Sequence, residues 1–216
     1  MHGLSLIQYA AVAALPLLFA ITLHEVAHGW MARRLGDHTA EMLGRLSLNP
    51  LKHIDPIGTV LVPGILLFVG GFIFGWAKPV PVDARNLHNP KRDMAVVAAA
   101  GPLSNLAMAL IWALIAKLGL MLAALPWISL PLILMGKLGI FINLILMVLN
   151  LLPMPPLDGG RVLVGLLPDR YAVRVAGLEP YGLFILVGLL VTGYLGKLIG
   201  PPILALERLL VMFTGI

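Results

Sequence analysis

Long apolar runs separated by short polar connections dominate the chain. Charge-free stretches lie at residues 3–23, 56–77, 94–116, 118–136, 138–157 and 180–196. A helix needs about 20 apolar residues to cross a hydrocarbon core, so these runs predict membrane helices. Pro126 and Pro131 divide the fourth run, which reads as a turn leading into a helix that begins near Pro131. That helix continues through Lys137, whose charge can snorkel outward, to about Leu152. The tail, 198–216, is weakly amphipathic, broken by Pro201-Pro202 and charged at Glu207-Arg208. The first run lacks a basic leader and continues into a polar motif, so it is expected to stay in the protein rather than to be removed as a signal peptide.

Composition turns this pattern into a class. Sixty per cent of the 216 residues are hydrophobic and 12% are charged, against about 45–50% and about 25% in soluble domains. Mean hydropathy is +0.98. A soluble fold of this size has too little interior to hide so much apolar surface. Disorder and a nucleic-acid module are excluded, and the absence of cysteine excludes a disulfide scaffold.

The net charge of +5 resides mostly in two connections, with Arg33, Arg34, Arg45 and Lys52 in the first and Lys78, Arg85, Lys91 and Arg92 in the second. The positive-inside rule places both in the cytoplasm. Stretch 56–77 must then enter and leave on one side, and Pro63-Gly64 and Gly70-Gly71 suit such a re-entrant path. The expected fold is a single all-α polytopic membrane domain over 1–216, with a catalytic core at about 5–165 and C-terminal membrane helices at about 177–216. It has about five to six transmembrane segments, one of them re-entrant. Within 39–54, the alternation of Leu43, Arg45, Leu46, Ser47 and Leu48 beside Gly44, Asn49 and Pro50 predicts a small β-hairpin at the membrane surface. Its edge could hold an unwound substrate by strand addition.

His24-Glu25-Val26-Ala27-His28 lies where the first apolar run ends. On a helix, positions four apart differ by only about 40° around the axis, so the two imidazoles point the same way and can hold one Zn²⁺. Glu25 projects about 100° to the side, suited to activating water rather than to binding the metal. Two imidazoles and a carboxylate this close to hydrocarbon are costly and normally mark function. Catalytic zinc takes three protein ligands and keeps an open position. Met31 and Arg34 occupy the places where a metzincin would have Gly and His, which excludes that class. His38, Glu41 and His53 lie in the polar connection, where solvated side chains are expected. Asp158 is the best remaining ligand: it follows Asn150-Leu-Leu-Pro-Met-Pro-Pro-Leu and precedes Gly159-Gly160, at a helix end broken by prolines. Zn²⁺ with Asp158 and Glu25 sums to zero charge, which suits a site below the membrane surface.

These residues resemble the site-2 protease family of intramembrane zinc metalloproteases, in its short prokaryotic form without a PDZ domain. The resemblance rests on His24-Glu25-Val26-Ala27-His28-Gly29, Gly101-Pro102-Leu103-Ser104-Asn105 and Asn150 through Leu157-Asp158-Gly159, with familial stretches at 48–59 and 75–82. It covers roughly residues 20–165. Leu157 departs from the Asn-Pro that some members carry before the Asp-Gly. The resemblance implies one Zn²⁺ per chain held by His24, His28 and Asp158, with Glu25 as catalytic base. It also implies a membrane-spanning protein or peptide as substrate, and a multi-pass cell-membrane enzyme whose site opens to the cytoplasm. Asn150 and Asn105 are candidates for contacting substrate or oxyanion. A metal transporter would favour several sites along a path or a repeat, and neither is found. An inactive membrane scaffold would not require the full ligand set.

Overall fold

The computed structural model describes residues 5–61, 65 and 77–216. Every regular element among them is helical. Helix α1 spans Leu6–Arg34 and begins with a reciprocal cap, in which Gln8 N donates to Ser5 Oγ and Ser5 N donates to Gln8 Oε1. A single turn, α2 (Thr39–Met42), and two 3₁₀ turns at Pro50–Lys52 and Ala84–Asn86 punctuate the connection. Then come α3 (Pro90–Met121), α4 (Pro126–Asn150), α5 (Asp158–Leu166), α6 (Asp169–Ala176), α7 (Glu179–Val191) and α8 (Tyr194–Thr214).

Helices α1, α3 and α4 are long and apolar enough to cross a membrane, and α6 with α7, bent by 61° at their junction, can count as a fourth span. Three to four spans therefore stand among the described residues where five to six were expected. Helix α8 carries Lys197, Glu207, Arg208 and Pro201-Pro202, and the interior of stretch 56–77 lies outside the described residues. Burial follows a membrane pattern. Leu15, Leu17, Leu18 and Phe19 are exposed on α1, as are Leu103, Ile111 and Leu114 on α3, while Thr22, His24, Asn105, Ser129 and Asn143 are buried. The chain is a membrane protein, with large apolar side chains on its outer surface and polar side chains buried within an otherwise apolar core.

Two expectations need correcting. The helix expected near Pro131 begins at Pro126, and Pro131 lies inside α4. Pro126 occupies the first helical position, where its missing N–H costs nothing. Ser129 Oγ then donates to Gly119 O at 2.8 Å and ties the new helix to the end of α3. The hairpin expected over 39–54 is not formed, and no strand occurs among the described residues. Carbonyls that a hairpin would pair across strands are taken by side chains instead: Lys52 Nζ donates to Gly44 O at 3.0 Å and His53 Nε2 donates to Ser47 O at 2.8 Å.

Helix order sets the position of the site. His24 and His28 of α1 face Asn105 and Val97 of α3, so the later residue on one helix meets the earlier residue on the other. Gly136 and Gly139 of α4 lie against Ala116 and Trp112 of α3 in the same reversed sense. Both pairs are antiparallel, so the C-termini of α1 and α4 and the N-terminus of α3 share one end of the bundle. The connection 35–89 thus starts and finishes at that end. Lys78 N donates to His53 O at 2.9 Å, so the two ends of 54–77 meet, as a return to the same side requires. Pro56–Leu61 forms a π-helical turn at the start of this stretch, and residues 62–64 and 66–76 lie outside the described residues.

Small residues permit the close helix contacts. A Cβ on Gly139 would overlap the Trp112 ring, with Trp112 Cδ1 at 2.6 Å, and one on Gly136 would meet Ala116 Cβ at 2.6 Å. At the polar end, Asp37 is 0% exposed and joins the two halves of the connection. It accepts from Thr39 N (3.0 Å), Thr39 Oγ1 (2.5 Å), Asn86 Nδ2 (3.0 Å) and Asp83 N (2.7 Å). Burial alone would raise its pKa; the Thr39, Asn86 and Asp83 donors outweigh that and hold the carboxyl below its ordinary value.

Two predictions follow from these contacts. Gly139→Ala is expected to destabilise the bundle by about 1–3 kcal/mol, read as a lower melting temperature of the detergent-solubilised protein. Asp37→Ala is expected to cost about 2–3 kcal/mol at pH 7. A depressed carboxylate contributes stability above its unfolded pKa of about 3.9 and loses it as pH falls through the folded value. The gap between wild type and Asp37→Ala should therefore close as pH drops below about 4.

Candidate metal centre

His24 and His28 rise one turn apart from α1, their rings edge to face with centroids 4.7 Å apart. Their Nε2 atoms are 3.1 Å apart. Asp158, the first residue of α5, places Oδ2 at 3.2 Å from His24 Nε2 and 3.3 Å from His28 Nε2. Side chains far apart in sequence thus form a nearly equilateral triangle of ligand atoms. His24 is 8% exposed and Asp158 7%.

The outer ring nitrogens fix the protons. His24 Nδ1 lies 2.6 Å from Asn105 Oδ1, and His28 Nδ1 lies 2.8 Å from the Val97 carbonyl oxygen. Both oxygens can only accept, so each Nδ1 carries the hydrogen and donates it. In the neutral rings that metal ligation requires, the two Nε2 atoms present lone pairs to each other and to a carboxylate oxygen. Asp158 Oδ2 is buried and makes no hydrogen bond among the described residues. Three acceptors held this close without a donor repel one another unless a cation lies among them. Tetrahedral zinc with bonds of about 2.0–2.1 Å would separate its ligand atoms by about 3.3–3.4 Å. The observed edges fit a metal of that size, and these three residues form a group able to hold one.

Glycines make the convergence possible. A Cβ on Gly101 of α3 would strike His28 Cε1 at 2.5 Å and His24 Cε1 at 2.6 Å. On Gly159 and Gly160 it would overlap the backbone of Leu151, Leu152 and Met154, so the turn that delivers Asp158 has no room for a side chain there.

Glu25, half-buried, is beside the triangle but not part of it, and its Oε2 accepts from Val80 N at 2.8 Å. His24 and His28, singled out by helical spacing, and Asp158, singled out by its flanking prolines and glycines, therefore lie together, with Glu25 next to His24 in sequence. Asn105 sits behind His24, 0% exposed, with its amide fully engaged. Asn150 closes α4 and donates from Nδ2 to Leu146 O on its own helix at 3.0 Å. Glu41 pairs with both His38 and Arg33 on the exposed face, and His53 is buried away from the triangle. Sequence reasoning missed three supports. Val97 and Val80 act through backbone atoms that no side-chain pattern reveals. Asn143 was discoverable as a lone amide in an apolar run.

Residues 12–130 match the sequence profile of peptidase family M50. The chain is 38% identical to "Putative zinc metalloprotease YwhC" of Bacillus subtilis, over its full length and 95% of the relative. It is 33% identical to "Putative zinc metalloprotease Rip2" of Mycolicibacterium smegmatis, over 83% of this chain and 66% of that protein. A Rip2 of Mycobacterium tuberculosis is likewise 33% identical, over 81% of this chain and 63% of its own length. No solved structure matches the chain significantly.

The Gly101 contact gives a direct test. Gly101→Ala should displace both imidazoles and lower divalent-metal content at least about tenfold, with helical circular dichroism retained. Atomic emission on the purified protein reads the metal.

Proposed function

Because the chain belongs to peptidase family M50, the site-2 protease family, we propose that it is a zinc metalloendopeptidase cutting membrane-spanning protein or peptide substrates within the bilayer. The observation that carries this reading is the convergence of two imidazole lone pairs and one carboxylate oxygen, edges 3.1–3.3 Å, beside a carboxylate that is not part of the triangle. Depth supports the intramembrane substrate. His28 lies six residues before the end of an apolar spanning helix, about 9 Å below it. Charge supports access from the cytoplasm of a multi-pass cell-membrane protein, since Arg33, Arg34, Lys78, Arg85, Lys91 and Arg92 gather at the bundle end nearest the site.

His24 Nε2, His28 Nε2 and Asp158 Oδ2 would hold the metal. Zinc, when bound, supplies Lewis-acid polarisation of a carbonyl and brings the pKa of water near 7. Glu25 is the general base. The Val80 amide occupies Oε2, which leaves Oε1 to take a proton from water and return it to the leaving nitrogen. Asn150 Oδ1, with Nδ2 held by Leu146 O, remains able to accept a hydrogen bond from an unwound substrate backbone.

Glu25→Gln is expected to fold, to bind zinc at the wild-type level and to lose cleavage by about 10²–10⁴-fold. His28→Ala and Asp158→Asn should lose the metal as well. Cleavage of a model transmembrane substrate in proteoliposomes, with zinc content measured in parallel, separates the two classes; full activity in Glu25→Gln would remove the proposed base.

A further inference from the structure

Behind the metal triangle runs a chain of side-chain amides that links three membrane helices. Asn105 Oδ1 accepts from His24 Nδ1 at 2.6 Å. Asn105 Nδ2 donates to Ala20 O of α1 at 3.2 Å and to Asn143 Oδ1 of α4 at 2.9 Å. Asn143 Nδ2 in turn donates to Gly139 O, one turn earlier on its own helix, at 2.8 Å. Both asparagines are 0% exposed, so solvent cannot substitute for a lost partner.

A carboxamide has two ends of nearly the same shape and opposite hydrogen-bonding character. Only its partners decide which end faces His24. Asn143 has its donor end committed to Gly139 O, so it presents oxygen to Asn105. Turned over, Asn105 would set its own oxygen against both Ala20 O and Asn143 Oδ1, two acceptor–acceptor contacts in a dry interior where each is costly. Asn105 is thereby held with oxygen toward His24, the ring proton is held on Nδ1, and Nε2 keeps the lone pair that a metal needs.

We propose that Asn143 is a positioning residue for the metal centre, acting through Asn105 to hold His24 in its Nδ1–H tautomer. The proposal rests on the metal-site reading above but not on the peptidase chemistry. His28 supplies an internal control, because its Nδ1 partner is the Val97 backbone carbonyl, which cannot turn over.

The experiment reads the proton directly. Imidazole ¹⁵N spectra of the metal-free protein in detergent, above the histidine titration range, should show both His24 and His28 as Nδ1–H. Asn143→Leu removes the oxygen while keeping a similar volume. It should move a measurable fraction of His24 to Nε2–H, leave His28 unchanged and weaken zinc binding about 10–100-fold by titration. Asn143→Ala carries the same expectation should leucine prevent folding. Three results overturn the proposal: His24 as Nε2–H in the wild type, unchanged zinc affinity in the variants, or weakened affinity with the His24 tautomer unmoved, which would mean a packing role alone. Failure of the peptidase reading would appear instead as cleavage by Glu25→Gln, a measurement that a ring proton does not affect.

Discussion

Three hydrogen-bond acceptors brought within 3.1–3.3 Å of one another, in a bundle whose outer surface is apolar, form the constraint around which this protein is built. In water such a cluster would be solvated and dispersed. Here His24 and Asp158 are less than a tenth exposed, and both imidazoles turn their Nδ1 hydrogens outward, His24 to Asn105 and His28 to Val97. The arrangement makes electrostatic sense only around positive charge, because unpaired acceptors in a low-dielectric interior are strongly unfavourable. Fold and site are consequently a single problem: the helices must approach closely enough to build the triangle and must also supply the donors and acceptors that fix its direction.

The close approach comes from glycine and alanine at the contacts. Gly101 gives the imidazoles room against α3, Gly136 and Gly139 seat α4 against Ala116 and Trp112, and Gly159-Gly160 folds the chain back beneath Leu151 and Leu152. Lipid gives no hydrophobic incentive for helices to associate, so packing of small residues and buried polar bonds must do so. The Asn105–Asn143 bond belongs to that second class, and it crosses the same α3–α4 interface that the glycines tighten.

How much of this could be read from the amino acids alone depends on the kind of atom involved. His24, Glu25 and His28 were legible because helical spacing fixes their directions before any tertiary contact exists. Asp158 was legible through its company, prolines that stop a helix and glycines that admit backbone. The Val97 carbonyl and the Val80 amide were not legible, since any residue at those positions carries the same groups. The helix start at Pro126 was misplaced to Pro131 because a proline in a membrane helix can be tolerated when its neighbours compensate, and Ser129 supplies such an anchor through Gly119. The hairpin over 39–54 failed for a different reason. Its alternation is short, and Lys52 and His53 side chains reach the very carbonyls that cross-strand pairing would have used. The expected re-entrant stretch, 56–77, lies mostly outside the described residues; what stands is that its flanks meet, Lys78 N donating to His53 O.

Glu25 and the two imidazoles are supported by different parts of the molecule. Both imidazoles are held from α3, a membrane span, through Asn105 and Val97. Glu25 is held from the polar connection, through the amide of Val80. That amide is the only backbone donor between residues 79 and 81, because Pro79 and Pro81 have none. The segment carrying it is itself pinned: Lys78 N donates to His53 O, and Arg45 donates to the Lys78 and Pro79 carbonyls at 3.0 and 3.3 Å. A disturbance of the connection therefore reaches the Glu25 carboxylate within two residues of Lys78 while leaving the two imidazoles anchored against α3. The two imidazoles depend on packing against α3, and Glu25 depends on how the surface connection closes over the end of the bundle.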